Sequence, residues 1–239
     1  LTQPLLSRSM ADFPFDAVLF DCDGVLVDSE PITNRVLAEM LGELGWSVSV
    51  EEVMRIFVGK TVRDEAALIE VRTGMPVTET WLAQFRARRN AALDAELQAI
   101  AGAASAVQSV HAMFDGRIAV ASGADRHKVG MQLTKAGMLH YFDGRIFSGQ
   151  ELARNKPHPD VYLAAAAALG VDPRRCAVVE DTVTGAKAGM AAGATVFAYS
   201  PGPSGHSSAA ALRDAGVASV FDDMAGLPSL LSGWRAAVA

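Results

Sequence analysis

Asp21 and Asp23 flank Cys22 and precede Gly24, at the end of the short apolar run AVLF at 17–20. A short apolar run bounded by turn residues reads as a buried strand. Two carboxylates two positions apart face the same side if the extended backbone continues. At that spacing they repel each other unless a cation joins them or one carries a proton. Either condition is useful for phosphoryl transfer, where negative charge must be offset and a leaving oxygen protonated. Gly24 allows a sharp turn that brings backbone N–H groups near an anion. The bland reading is a solvated turn, since Asp and Gly are common turn residues. Cys22, which strand alternation points away from both aspartates, reads as a packed small residue.

Three further places follow in the chain, each at or near the end of an expected strand. Ser122-Gly123 follows IAVA and offers a hydroxyl and backbone N–H groups suited to phosphate oxygens. Lys156-Pro157 lies in a loop before a helix, with an ammonium to offset phosphate charge. Glu180-Asp181 follows CAVV and supplies the carboxylates that a hard divalent cation prefers. Singly, each reads equally as a helix cap, a solvated lysine or an exposed acidic turn. Ligands of open α/β sheets bind outside the carboxyl ends of the strands, so in this order the four places would meet at one mouth. His111, His140, His158 and His206 show no metal-ligand spacing.

The elements that must position these residues alternate. Strands are expected at 17–20, 117–122, 176–180, 194–199 and 218–221, with helices at 125–136, 158–169, 183–192 and 206–215. This alternation implies an α/β fold, a parallel sheet with helices on both faces. The stretch from about 30 to 100 has no convincing strand. Ser49 and Glu52 fit a capping box, and Thr61 with Asp64 resembles one. Val62, Ala66 and Ile69 recur at helical spacing, and 79–98, without Gly or Pro, reads as a long helix. An all-helical segment interrupting the pattern after its first strand reads as an inserted cap domain. The expected division is 11–28 with 100–239 as the core and 29–99 as the cap; one continuous domain is the alternative.

Composition bounds the partners. The chain has 239 residues, 50% hydrophobic, and a net charge of -6. That length and apolar content suffice for one large domain or one carrying an insert. The acidic balance disfavours nucleic acid and anionic membrane, both of which would repel it. Two distant cysteines give no disulfide framework, so a reducing, cytoplasmic setting is expected. Residues 1–10 lack the apolar core of a signal peptide, and Met10 is a plausible start. No run approaches the roughly 18 apolar residues of a membrane span.

The start DCDGVLVDSEP, the apolar run ending in Ser-Gly, KPHPD and VVEDTVTGAKAG together resemble the haloacid dehalogenase superfamily, in the branch with a helical cap between the first two motifs. The resemblance runs from about Asp16 to the C-terminus. It implies a Rossmann-like core with a mobile cap and a magnesium-dependent phosphatase of small phosphorylated metabolites, a monomer or small homo-oligomer. Asp21 is implied as the nucleophile that forms an aspartyl-phosphate, and Asp23 as the acid and then the base. That role calls for a raised pKa at Asp23. Ser122, Gly123 and Lys156 are implied to hold the phosphoryl oxygens. Asp21, Asp181 and the backbone carbonyl of Asp23 would bind Mg²⁺, with Glu180 acting directly or through a water. The second aspartate argues against dehalogenation, which has no leaving oxygen to protonate.

Substrate choice would lie with the cap. Lys60 and Arg63 are candidate contacts, as are Arg126 and His127 after the serine motif; each also reads as a solvated surface charge. The motifs resemble β-phosphoglucomutases, with three departures. Thr33 stands where those carry a histidine, Val62 where they carry a phosphate-binding arginine, and Asp125-Arg126 replaces Lys-Asn. Loss of positive charge on the cap side counts against a mutase, although Arg63 could substitute. LDAELQAIAGA and GMLHYFDGRIFSGQELARNKP are more similar to bacterial sugar-phosphate and 6-phosphogluconate phosphatases. A phosphatase of a small sugar or sugar-acid phosphate is therefore expected, with a mutase or a catalytically silent binding protein as alternatives.

Overall fold

The computed structural model describes residues 13–57, 60–202 and 206–235. The expectations for residues 1–10, and for Val58 and Gly59 in the cap loop, fall outside that range.

Six parallel strands form one sheet in the order β3-β2-β1-β4-β5-β6. They are β1 (Ala17–Phe20), β2 (Ile118–Ser122), β3 (Ile146–Ser148), β4 (Cys176–Glu180), β5 (Thr195–Tyr199) and β6 (Ser219–Phe221). The alternation of side chains divides each inner strand between two apolar layers. Val18, Phe20, Ile118, Val120, Ala177, Val179 and Phe197 face one layer. Ala17, Leu19, Ala119, Ala121, Cys176, Val178, Val196 and Ala198 face the other. Burial on both faces is why these strands read as continuous apolar runs rather than as alternating ones.

The first layer is closed by α5 (Ala103–Met113), α6 (Arg126–Lys135) and α10 (Leu227–Gly233), the second by α7 (Asp160–Ala168), α8 (Val183–Ala191) and α9 (Ala209–Asp214). Small residues on the second face let the alanine-rich α7 pack closely, through Val161, Tyr162, Ala165 and Ala166. The edge strand β3 was not expected. Three residues are too few to carry a periodic signal.

Between β1 and α5 the chain forms α1 (Glu30–Glu43), α2 (Val50–Phe57), α3 (Ala66–Thr73) and α4 (Glu79–Glu96), with no strand among the described residues. Val36, Leu37, Met40, Leu41, Val53, Phe57, Ile69 and Phe85 make a separate apolar cluster there. The Ser49–Glu52 capping box forms reciprocally, at 3.2 and 3.1 Å. Thr61 and Asp64 make the same pair of bonds, but α3 starts later, at Ala66, so Val62 lies outside it. The outgoing and returning connections run side by side: Asp28 donates to the Gln98 carbonyl and Ile100 to the Leu26 carbonyl, both at 3.0 Å.

Because β1 is central and comes first in the chain, the path reverses direction beside it, between β1 and β4. Phe20 is in register with Val120 on one side and Val179 on the other. The residues just beyond β1, β2 and β4 therefore emerge at one sheet edge, at the switch point where such sheets bind ligands.

Candidate active site

Asp21 leaves β1 into a tight turn in which the Cys22 carbonyl accepts from the N–H groups of Val25, Leu26 and Val27. Gly24 adopts φ +77°, and a Cβ there would collide with Asp181 and His206. Glycine is required on both counts. Cys22 is fully buried in the first apolar layer, and its thiol contacts Gln132 Oε1 at 3.6 Å.

Lys156 Nζ donates to Asp21 Oδ1 at 2.6 Å and to Glu180 Oε1 at 2.7 Å. Burial works against the ammonium, but the two carboxylates outweigh it and hold the Lys156 pKa well above its usual value. Glu180 Oε1 also accepts from Tyr162 at 2.7 Å. Its Oε2 accepts from the Asp181 and Thr182 N–H groups and the Thr182 hydroxyl. Burial pushes the Glu180 carboxyl up, yet Lys156 and these donors bring its pKa below the ordinary value. Glu180 thus clasps Lys156 to the start of α8, where Thr182 caps the Gly185 N–H at 3.0 Å.

Asp21, Glu180 and Asp181 present carboxylate oxygens that all lie within 4.8 Å of one another. Burial, with the Glu180, Asp181 and Asp23 charges, overrides Lys156 and raises the Asp21 pKa well above normal. Burial also lifts Asp181, to about 6, against the pull of His206. His206 Nδ1 pairs with Asp181 Oδ2. Burial disfavours its imidazolium, but Asp181 prevails and takes the His206 pKa to about 9. Asp181 Oδ1 is buried with no hydrogen-bond partner among the described residues. Buried acceptors are rarely left orphaned. A hard cation joining these oxygens would satisfy Oδ1 and relieve the mutual repulsion, so the donor set fits one.

Ser122 is buried at the end of β2, and its hydroxyl accepts from the Ala124 N–H at 3.1 Å. The Gly123 carbonyl accepts from Asn155 Nδ2 at 3.0 Å, while Asn155 Oδ1 accepts from the Lys156 N–H at 2.8 Å. Asn155, which the sequence did not single out, ties the serine loop to the lysine loop.

Asp23 corrects an expectation. Its pKa is lowered, not raised: burial pushes it up, but Lys128 and the bonds from Lys128, Ser29 and Gln132 prevail. Lys128 Nζ donates to both Asp23 oxygens, at 2.8 and 2.9 Å, and Gln132 Nε2 to Oδ1 at 2.8 Å. Ser29 also donates to Oδ1. Lys128 and Gln132 lie one turn apart on α6, more than 100 residues from Asp23 in the chain.

Asp21, Asp23, Ser122, Lys156, Glu180 and Asp181 line a cavity of about 770 Å³ between the sheet edge and the helices α1 and α4. Lys60, Val62 and Arg63 line its far side, with Lys60 paired to Glu65 at 2.7 Å and Arg63 to Glu79 at 2.6 Å. Arg86 and Arg89 of α4 line it too. That side of the cavity therefore carries basic side chains besides Lys60 and Arg63. Arg89 is buried and pairs with Asp125 at 3.1 Å. Thr33 lines the cavity with its hydroxyl buried and unpartnered among the described residues. Arg126, a candidate cleft residue, is directed elsewhere: it pairs with Glu151 at 2.6 Å, and neither it nor His127 lines the cavity.

Residues 15–193 match the family of haloacid dehalogenase-like hydrolases. The chain is 35% identical over 189 residues to the 6-phosphogluconate phosphatase of Escherichia coli K12, covering 79% of this chain and 84% of that protein. It is 30% identical to hexitol phosphatase B of the same strain, over 74% of this chain and 79% of the relative. Among solved structures, a HAD family hydrolase from Deinococcus radiodurans R1 with bound phosphate and sodium superposes with a TM-score of 0.74. That pair is 36% identical, with 92% of this chain and 97% of the other covered. The matched span, over these elements and this sheet order, makes the chain a member of the haloacid dehalogenase-like hydrolase family.

Proposed function

We propose that this phosphatase hydrolyses small sugar or sugar-acid phosphates with Mg²⁺ and an aspartyl-phosphate formed on Asp21. The observation that carries the reading is one convergence: the Lys156 ammonium 2.6 Å from Asp21 Oδ1, with the unpartnered Asp181 Oδ1 in the same carboxylate group. A phosphoryl group there meets a nucleophile, a buried cation and a metal-binding carboxylate at once. The 6-phosphogluconate and hexitol phosphatase relatives support the substrate class.

In the first step an Asp21 oxygen bonds to phosphorus as the bond to the leaving oxygen breaks. The electron pair stays on that oxygen, and Asp23 gives it a proton. In the second, Asp23 takes a proton from water, whose oxygen attacks phosphorus, frees Asp21 and releases phosphate. Ser122, Gly123 and Lys156 hold the phosphoryl oxygens throughout. Asp21, Asp181 and the Asp23 carbonyl would hold Mg²⁺, which would supply charge neutralisation when bound. Glu180, its oxygens already taken by five donors, serves that site by holding Lys156 and the α8 turn. Asp23 rests ionised; a phosphate dianion arriving beside it raises its pKa, so that Asp23 takes from solvent the proton it gives in the first step. Residues 29–99 act as the cap, closing over the leaving group and excluding water.

Phosphate release across a panel of sugar and sugar-acid phosphates tests this. Asp21→Asn is expected to abolish turnover; a pure variant that keeps most activity rejects the nucleophile. The arginines on the cap side favour a second reading, a mutase that holds a second phosphate there. Formation of glucose 6-phosphate from β-glucose 1-phosphate with a trace of bisphosphate would establish it, and none formed excludes it.

A further inference from the structure

The two oxygens of Asp23 are treated unequally. Oδ1 accepts from Lys128, Gln132 and Ser29, whereas Oδ2 accepts from Lys128 alone, at 2.9 Å. A carboxylate oxygen has two lone pairs, so three donors saturate Oδ1 and leave free capacity on Oδ2. The Lys128 side chain is itself only 5% exposed, so it cannot satisfy its charge in water. Its place is set from the N-terminus of α6. Asp125 Oδ1 accepts the Lys128 N–H at 2.8 Å, and Asp125 Oδ2 accepts from Arg89 of α4 at 3.1 Å. The grip on Asp23 therefore rests on the helix that α4 docks against.

We propose that Lys128, with Gln132, is a positioning residue that fixes Asp23 through Oδ1 and leaves Oδ2 as the oxygen that exchanges the proton. The inference rests on the proposed two-step phosphatase reaction and adds to it the groups that aim its acid. The balance is that given above: the proton leaves Oδ2 for the leaving oxygen as the P–O bond breaks, and Oδ2 recovers a proton from the attacking water. Lys128 donates no proton and forms no bond to substrate. Without it, Asp23 keeps its carboxyl but loses both the contacts that aim it and the neighbouring charge that lowers its pKa.

A dinitrophenolate leaving group needs no proton, whereas a sugar alkoxide does. Single-turnover rates on dinitrophenyl phosphate and on the best sugar phosphate of the panel therefore separate proton delivery from binding and attack, and the uncharged Gln132 separates positioning from the charge of Lys128. In Lys128→Met the sugar phosphate rate is expected to fall about 100-fold, and dinitrophenol release to stay within about threefold. Asp23→Asn should show the same selectivity, and adding Lys128→Met to it should cost nothing more. Gln132→Leu removes a donor without leaving a buried charge unpaired, and should show the same selectivity at about tenfold. It serves if the lysine variant does not fold by circular dichroism. An equal fall on both substrates, no fall on either, or an effect confined to KM overturns the inference. Undiminished activity in Asp21→Asn would instead overturn the reaction beneath it.

Discussion

Asp125 holds two charges in place, and its own ionisation should be readable in stability. Burial raises its pKa, but the bond from the Lys128 N–H and the Arg89 guanidinium bring it below normal. A carboxyl depressed in the folded state contributes stability above its unfolded pKa of about 3.9, lost as pH falls through the folded value. Asp125→Asn keeps a capping oxygen but loses the charge opposite buried Arg89. We expect it to cost about 1–3 kcal/mol at pH 7 by urea unfolding. That gap should begin to narrow near pH 4, where the unfolded carboxyl takes up its proton, and close only below the depressed folded value. A gap constant from pH 7 to 3 would show that Arg89 gains nothing from the charge. Residues of this kind were hidden in the sequence. Asp21, Ser122, Lys156 and Asp181 stand out because they follow apolar runs or sit in short loops. Lys128, Gln132, Asn155 and His206 carry no such mark, and their meaning lies in partners up to 109 residues away.

At the level of elements, helix α8 trades intrinsic stability for the site. Gly185 lies in its first turn, and a Cβ there would collide with the Glu180 carboxylate. Alanine is favoured over glycine in a helix by about 1 kcal/mol. Gly185→Ala should nonetheless displace Glu180, unclasp Lys156 and lower kcat by about 100-fold, as a misplacement near 1 Å can. Gly130, in α6, has nothing within 4 Å of its virtual Cβ. Gly130→Ala should gain up to about 1 kcal/mol by denaturant titration. Equal effects at the two sites would remove the argument. Most elements were legible because apolar runs of four or five residues end in turn signals. β3 was too short, and α5 and α10 were not separated from their surroundings by periodicity. The start of α3 was misjudged because the Thr61–Asp64 pair closes a turn rather than opening a helix.

For the whole molecule, a cation bound by the three carboxylates crowded at the sheet edge would couple its binding to folding. A ligand bound only by the folded chain adds RT ln(1 + [L]/Kd), or about 2.7 kcal/mol at 100 Kd. Mg²⁺ at that level should raise the unfolding free energy by about this amount, and Asp181→Asn should abolish most of the gain. No shift on adding or chelating Mg²⁺ would mean that Lys156 and His206 already balance the cluster. The sequence by itself determined the α/β alternation, the helical interruption after the first strand and the four places where chemistry is concentrated. Those depend on local order: short apolar runs, the turns that end them and residue types at fixed spacing. Only the tertiary structure decided that β1 lies between β2 and β4, which brings the four places to one edge. It also decided that Lys128 lowers the Asp23 pKa, that Arg126 turns to Glu151 and that Arg86 and Arg89 line the cavity. Such outcomes follow from through-space contacts between distant segments, where charge and burial compete and no local pattern records which prevails.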